Sequence, residues 1–162
     1  MIDRYSLPEM KAVWSEQNKF QSWLEVEIAV CEAWERFGAI PAGSTEAIRA
    51  GAKFTVDRIE EIERETHHDM IAFVKAVTEN LGDEGRYVHY GVTSYDIEDT
   101  AMALRMRAAC DIIIEDLEKL AEAVARLARE HKMTPMIGRT HGVHAEPITF
   151  GFKMAVFYSQ IL

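Results

Sequence analysis

Histidine is the residue type in this sequence best suited to proton transfer near neutral pH, and its distribution is uneven. Five of the six histidines fall in three short segments: His67 and His68, His89, and His141 and His144. Imidazole has an ordinary pKa of about 6.5, so it can act as an acid or a base at pH 7. The surrounding patterns predict that each segment joins two helices, where loops commonly place functional groups.

The first segment, residues 66–69 (THHD), has two possible roles. A histidine beside a carboxylate, as in His68 and Asp69, could be an oriented acid or base. The same residues could instead form a cap, with Asp69 starting the next helix. The residues alone leave both roles open.

The second segment, residues 89–96 (HYGVTSYD), places Thr93 and Ser94 at a predicted helix N-terminus. Backbone N–H groups and hydroxyls at such a position form an anion site. A simple N-cap would need only one of the two side chains. Two adjacent hydroxyls after Gly91 favour ligand binding.

The third segment, residues 138–144 (GRTHGVH), has a glycine before and after its polar residues. The glycines permit an unusual backbone, which we expect to direct Thr140 and His141 into a cleft. A metal site is an alternative, with His141 and His144 three residues apart and Glu146 as a third ligand. The segment lacks helical continuity, a nearby cysteine and paired carboxylates, so we predict no metal.

Periodic apolar residues predict that nearly the whole chain is helical. The expected helices begin near residue 7 (from a Ser6 capping box) and cover 15–37, 44–50, 55–65, 69–81, 94–131 and the stretch from about 148. The helix from Ser94 would be about 55 Å long, which is typical of a large bundle. His131 would complement the dipole at its end. Residues 133–147, with several glycines and prolines, predict a loop.

Composition narrows the classes of protein further. The chain has 162 residues and a net charge of −9, whereas general binders of nucleic acid or anionic membranes need the opposite sign. Cys31 and Cys110 are too isolated for a disulfide framework, which indicates a reducing compartment. Without a signal peptide or membrane span, the chain is expected to be cytoplasmic. Its apolar end at Leu162 suggests a chain cut within a helix. No cofactor-binding motif occurs, so we predict no cofactor.

Four segments together resemble the N-terminal part of the fumarase/aspartase superfamily, and within it the adenylosuccinate lyase family. They are residues 4–10 (RYSLPEM), 66–73 (THHDMIAF), 89–100 (HYGVTSYDIEDT) and 138–151 (GRTHGVHAEPITFG). They occur in the family's order along the whole chain. The resemblance implies an all-α fold: a small N-terminal helical domain (residues 1–93) carrying His68 and His89, then the truncated start of a central helical bundle (94–162) carrying Thr140 and His141.

The resemblance also implies a reaction, a β-elimination that releases fumarate. Adenylosuccinate would give AMP, and succinyl-aminoimidazole-carboxamide ribotide would give its carboxamide, in purine biosynthesis. His141 matches the family's general acid, which protonates the leaving nitrogen. His68 matches the histidine that pairs with this acid and orients it.

Substrate contacts follow from the same matches. Thr93, Ser94 and Thr140 match residues that bind the succinyl carboxylates. His89 matches a residue near the nucleotide and its phosphate.

Further contacts are implied around the nucleotide. Arg4 and Tyr5 match nucleotide contacts, and Asp69 matches a contact to the base or its amino group. His67 stands where the family often has arginine, so a contact there would lack a permanent charge and a bidentate geometry.

The resemblance implies that one part of the active site is missing. The family's base is a serine in a Gly-Ser-Ser-x-Met-Pro-x-Lys-x-Asn loop, a motif that this sequence lacks. The family forms homotetramers whose active sites combine three subunits. The chain by itself is therefore expected to be inactive.

Two alternatives remain beside this interpretation. The first is another fumarate-releasing lyase or a cycloisomerase of the same superfamily. The second is a non-catalytic helical assembly module.

Overall fold

The computed structural model describes residues 2–162, with the backbone alone at Asp3. The described residues form seven α-helices, two short 3-10 helices and one two-stranded sheet. The α-helices are α1 (Pro8–Val13), α2 (Glu16–Arg36), α3 (Ser44–Gly51), α4 (Val56–Thr66), α5 (Asp69–Thr78), α6 (Ser94–Glu130) and α7 (Phe150–Ile161). The strands are β1 (Pro135–Thr140) and β2 (Val143–Thr149), and the 3-10 helices are Asp3–Tyr5 and Asp83–Tyr87. The predicted all-α class is confirmed.

The chain divides into two compact units, with the boundary inside α6 between Ala109 and Cys110. The predicted boundary between the two domains lies earlier, at the start of α6. The division into domains at residues 93 and 94 stays a prediction.

The first unit has a core built on aromatic rings from α2 and α5. Phe20 stacks on Phe73 with ring centroids 5.9 Å apart, and Trp23 meets Phe73 edge-on at 5.4 Å. Phe54 closes the group edge-on to Phe73 at 6.1 Å. Such pairs add about 0.5–1.5 kcal/mol each beyond their area burial. They pack α2 against α5; His68 caps α5, and the backbone N–H of His89 donates to Glu27 of α2.

The second unit consists of the later part of α6, the β1–β2 hairpin and α7. The start of α7 lies against the end of α6: the Gly151 N–H donates to the His131 carbonyl oxygen at 2.9 Å, and the Phe150 N–H donates to the Thr134 carbonyl oxygen at 2.9 Å. A Cβ on Gly151 would lie 2.5 Å from the Ala128 carbonyl oxygen, so only glycine fits this approach.

Helix starts follow the sequence closely in most cases. Ser15 and Thr149 cap α2 and α7, each accepting a hydrogen bond from the backbone N–H three residues later, as does Thr55 at α4. The Ser6 capping box was wrong. The Ser6 hydroxyl donates back to the Ile2 carbonyl oxygen at 3.0 Å, and Leu7 occupies the N-cap without a side-chain bond.

The loop predicted over residues 133–147 was also wrong, because most of it forms the antiparallel β1–β2 hairpin. Its pairing shifts register between Ile137 and Arg139, which is a β-bulge opposite Gly138. A Cβ on Gly138 would lie 2.7 Å from the Glu146 carbonyl oxygen. The glycines that suggested a loop are thus those required by the bulge and the turn.

No helix in residues 2–162 combines the length and the apolar character needed to cross a membrane.

Candidate active site

The junction between α4 and α5 holds two of the predicted residues in specific backbone states. His67 ends α4 in the left-handed region, with φ 53° and ψ 32°, and donates its N–H to the Glu63 carbonyl oxygen at 2.8 Å. His68 is the N-cap of α5, where its Nδ1 accepts a hydrogen bond from the Ile71 N–H at 3.4 Å. A neutral His68 ring that accepts through Nδ1 carries its proton on Nε2. The cap is therefore His68 itself, and it leaves an N–H free for a ligand.

Asp69, the first residue of α5, connects this junction electrostatically to α6. Its carboxylate accepts from the Met70 N–H at 2.7 Å and lies 3.5 Å from the Nδ1 of His68. Partial burial raises the pKa of Glu98, and the Asp69 carboxylate raises it further. Lys19 and His68 oppose the rise. The structure thus brings His68 and Asp69 together with Glu98, in the second turn of α6.

The segment of residues 87–91, which contains His89, is attached to a single face of α2. Three α2 side chains spaced four and three residues apart make one contact each. The Glu27 carboxylate binds His89, the Cys31 thiol donates to the Tyr87 carbonyl oxygen at 3.5 Å, and the Trp34 Nε1–H donates to the Tyr90 carbonyl oxygen at 2.7 Å. Residues at this spacing lie on one side of a helix. We call this set of contacts the α2 clasp.

Both oxygens of Glu27 serve His89. One accepts from the His89 backbone N–H at 2.9 Å, and the other lies 2.5 Å from the ring Nδ1. Glu27 is 1% exposed, whereas the His89 side chain is 23% exposed. Burial raises the pKa of the neighbouring Cys31 thiol to about 11, and the carboxylates of Glu27 and Glu35 add to the rise. The thiol therefore stays protonated and inert at neutral pH.

The start of α6 shows how Thr93 and Ser94 are presented. The Thr93 N–H donates to the Asp96 carboxylate at 2.8 Å, the reverse half of a capping box. That amide is therefore already satisfied, and Asp96 adds a negative charge to the first turn. An anion bound here would use the two hydroxyls rather than the Thr93 amide.

The tip of the β1–β2 hairpin carries Thr140 and His141. The two-residue connection is His141 and Gly142, both at positive φ (53° and 74°). A two-residue turn with two positive φ values matches the twist of antiparallel strands. The Thr140 Oγ1 lies 2.8 Å from the His141 Nδ1, and both side chains are exposed. This contact occupies Nδ1, so Nε2 is the ring atom of His141 available to a ligand.

Three residues other than glycine have positive φ among residues 2–162, and all three are histidines of the predicted segments: His67, His89 and His141. The left-handed region costs such a residue about 1–2 kcal/mol. Strained backbone of this kind clusters at functional sites. Sequence patterns selected the three segments but gave no sign of this shared backbone state.

Arg4 and Tyr5 are exposed residues of the 3-10 helix Asp3–Tyr5 in the first unit. The Arg4 guanidinium lies 4.8 Å from the centre of the Tyr5 ring. The two side chains form an exposed pair of a cation and an aromatic ring, which could contact a nucleotide.

Metal binding receives no support from the described residues. No group of three or more histidine, cysteine, aspartate or glutamate side chains in residues 2–162 could hold a metal ion. The alternative built on His141, His144 and Glu146 therefore lacks a formed site in this structure.

Sequence reasoning missed two acidic residues, Glu27 and Glu98. Glu27 had a usable signal, because it lies between Trp23 and Cys31 on the apolar face of α2, where a carboxylate needs a partner. Glu98 had no comparable signal, since its environment depends on how α5 and α6 meet.

Comparisons with known proteins identify the family of the chain. The family model described as Lyase matches residues 4–162. The chain is 51% identical over 161 residues to the adenylosuccinate lyase of Bacillus subtilis (strain 168), covering 99% of this chain and 37% of that protein. It is 52% identical over 162 residues to the adenylosuccinate lyase of Synechocystis sp. (strain ATCC 27184 / PCC 6803 / Kazusa), covering 100% of this chain and 38% of that protein.

A solved structure resembles the fold as well. The fumarate lyase from Mesorhizobium sp. BNC1 superposes with a TM-score of 0.88 at 34% identity, over 94% of this chain and 37% of that one. The chain thus spans about 37% of the length of the relatives it matches. The match to the family model over residues 4–162 and the agreement in fold lead to one conclusion: the chain belongs to the lyase family.

Proposed function

We propose that this chain is the N-terminal part of an adenylosuccinate lyase, a carbon–nitrogen lyase of purine biosynthesis. Its substrates are adenylosuccinate, which gives AMP, and succinyl-aminoimidazole-carboxamide ribotide, with fumarate released from both. The observation that carries the proposal is the 51–52% identity to adenylosuccinate lyases along 99–100% of the chain. At this identity, the alternatives of another superfamily lyase, a cycloisomerase or a non-catalytic assembly module are not favoured.

In the proposed reaction, a base removes a proton from Cβ of the succinyl group, the carbon–nitrogen bond breaks, and an acid protonates the leaving nitrogen. His141 is the proposed acid. Its contact with Thr140 suits this role: a hydroxyl that donates to Nδ1 leaves the proton on Nε2, the exposed nitrogen. His68, with its Nδ1 engaged as the α5 cap, offers Nε2–H as the partner group.

The substrate contacts are proposed from the resemblance to the family. The hydroxyls of Thr93, Ser94 and Thr140 bind the succinyl carboxylates. His89, held by the α2 clasp, contacts the phosphate end of the nucleotide.

The remaining nucleotide contacts come from two places in the first unit. Arg4 and Tyr5 contact the nucleotide, and Asp69 contacts the base amino group. His67 contributes an imidazole donor without a permanent charge, where arginine is common in the family.

The base and the assembly belong to the whole protein. The base is a loop serine of the kind that this sequence lacks, so the chain alone is proposed to be inactive. The whole protein is proposed to be a cytoplasmic homotetramer without cofactors. Apolar side chains exposed along α6 support assembly, because they form a stripe that a partner would cover: Met102, Met106, Ile113, Ile114, Leu117 and Leu120.

A chimera tests the function directly. Residues 1–162 replace the matching part of the Bacillus subtilis relative, and fumarate release from adenylosuccinate is followed by absorbance. We expect an active tetramer in which His141→Ala lowers kcat by about 10²–10⁴, the usual contribution of a general acid.

His144→Ala is the matched control, since His144 is an exposed histidine on the same hairpin that has no assigned role. It should retain activity within a few-fold. An active chimera in which His141→Ala and His144→Ala behave alike would overturn the assignment of the acid. A folded tetrameric chimera without lyase activity would overturn the proposed function.

A further inference from the structure

The feature that no assigned role explains is the buried carboxylate of Glu27. It is 1% exposed, and its hydrogen-bond partners are both parts of one residue, the backbone N–H and the ring Nδ1 of His89. Burying a carboxylate is unfavourable unless good partners compensate it. A buried carboxylate whose hydrogen bonds all go to one partly exposed histidine indicates that the orientation of the ring matters.

The backbone conformation of His89 is a second energetically unfavourable feature. Its φ is 62°, in the left-handed region. The bond from the His89 N–H to Glu27 holds the residue in that state, while the ring bond holds its side chain. Two unfavourable features, a strained backbone and a buried carboxylate, therefore combine to fix a single imidazole.

The chemistry of the contact defines what the ring presents. A carboxylate only accepts hydrogen bonds, so the ring nitrogen 2.5 Å from it must carry a proton. The neutral ring is then the Nδ1–H tautomer, and Nε2 is the nitrogen left for a ligand. If the ring is doubly protonated, Nε2–H donates to an anionic ligand while the charge of the ring is balanced by Glu27.

We propose that Glu27 is a positioning residue for His89: it keeps a proton on Nδ1, so that the doubly protonated ring, its charge balanced by Glu27, donates Nε2–H to the phosphate end of the substrate. The ligand named here rests on the proposed function, whereas the tautomer does not. Carboxylates orient histidines in this way next to metal ions and in catalytic triads. Here the carboxylate and the ring come from α2 and from the segment before α6, 62 residues apart in sequence.

Histidine-selective ¹⁵N labelling tests the tautomer in the 162-residue chain. Long-range ¹H–¹⁵N correlation spectra distinguish Nδ1–H from Nε2–H in a neutral ring. We expect Nδ1–H for His89 in the original chain. An Nε2–H ring there would overturn the proposal without any variant being needed.

Glu27→Gln supplies the perturbation. The amide has one accepting oxygen for two donors, so we expect it to keep the bond from the His89 N–H and to donate its NH₂ to Nδ1. The ring should then switch to Nε2–H. Glu25→Gln is the matched control, because Glu25 is exposed on the same helix and the charge change is identical. A folded Glu27→Gln chain that keeps the Nδ1–H tautomer would overturn the proposal.

Binding of AMP separates this inference from the proposed function. In the chimera described above, we expect the dissociation constant for AMP to be about tenfold higher in Glu27→Gln than in Glu25→Gln, because without the carboxylate the ring binds the phosphate as a neutral donor instead of as a charge-balanced imidazolium. A third outcome is that His89 has the Nδ1–H tautomer in the active chimera but its ¹⁵N chemical shifts do not change when AMP is added. Glu27 would then still be the positioning residue, whereas the assignment of His89 to the phosphate would be overturned.

Discussion

His67→Gly should make the first unit more stable, although it removes a residue of the candidate site. His67 has φ 53° and an exposed side chain, so little packing is lost. Relief of the left-handed backbone contributes about 1–2 kcal/mol, and the greater freedom of unfolded glycine opposes it by about 0.5–1 kcal/mol. The N–H bond to Glu63 is kept. The net gain is about 1 kcal/mol.

Tryptophan fluorescence is a suitable assay for this change. The three tryptophans, Trp14, Trp23 and Trp34, all lie in the first unit, so they report its unfolding. A gain of about 1 kcal/mol should raise Tm by about 2–4 °C for a chain of this length.

Gly43→Ala provides the opposite perturbation in the same unit. Gly43 has φ 87°, and a Cβ there would meet nothing within 4 Å, so this variant adds left-handed strain without a clash. Its Tm should fall by an amount similar to the rise in His67→Gly. If Gly43→Ala lowers Tm while His67→Gly leaves it unchanged or lower, the strain argument for His67 is refuted. A rise would mean that histidine occupies this position against the preference of the backbone, as expected of a residue kept for a ligand.

Two further predictions concern close packing and charge. Gly151→Ala places a Cβ 2.5 Å from the Ala128 carbonyl oxygen and should lower the free energy of unfolding by about 1–3 kcal/mol. Gly142→Ala, at positive φ in open space, should cost about 1 kcal/mol, and equal losses in urea titrations followed by circular dichroism would contradict the steric argument. Glu98→Gln should raise the free energy of unfolding in urea at pH 7 by less than about 1 kcal/mol, because the fold raises the pKa of Glu98 and so disfavours its charge. The gain should vanish below the ordinary carboxyl pKa, where wild-type Glu98 is neutral in both states, and a gain that persists there would refute the electrostatic explanation.

Sequence patterns that span a few residues were sufficient to predict the helices. Apolar periodicity predicted a helix over residues 15–37, close to the observed Glu16–Arg36, because such a pattern depends on residues a few positions apart in the chain. The hairpin was missed for a related reason. Gly138 and Gly142 predict irregular backbone from the sequence alone, but in the structure they serve a bulge and a two-residue turn, which depend on the pairing of two strands.

The candidate site likewise contains features that short stretches of sequence predict and features that depend on packing. Its histidine segments could be found from residue types and the resemblance, since both are properties of short stretches. The partner of His89 could not, because Glu27 lies 62 residues away and only the packing of α2 brings the two together. The backbone state of His67 and His141 was equally hidden, since histidine tolerates but does not require positive φ.

The α2 clasp constrains the number of residues in α2 as well as their identity. Its three side chains, Glu27, Cys31 and Trp34, reach the segment of residues 87–91 from one helical face. One extra codon between Trp23 and Glu27 would rotate everything after it by about 100° around the helix axis. All three contacts would then miss their partners at once, while every residue needed for them was still encoded. A substitution of Glu27, Cys31 or Trp34 removes one contact of the clasp, whereas an in-frame insertion or deletion before Glu27 displaces all three.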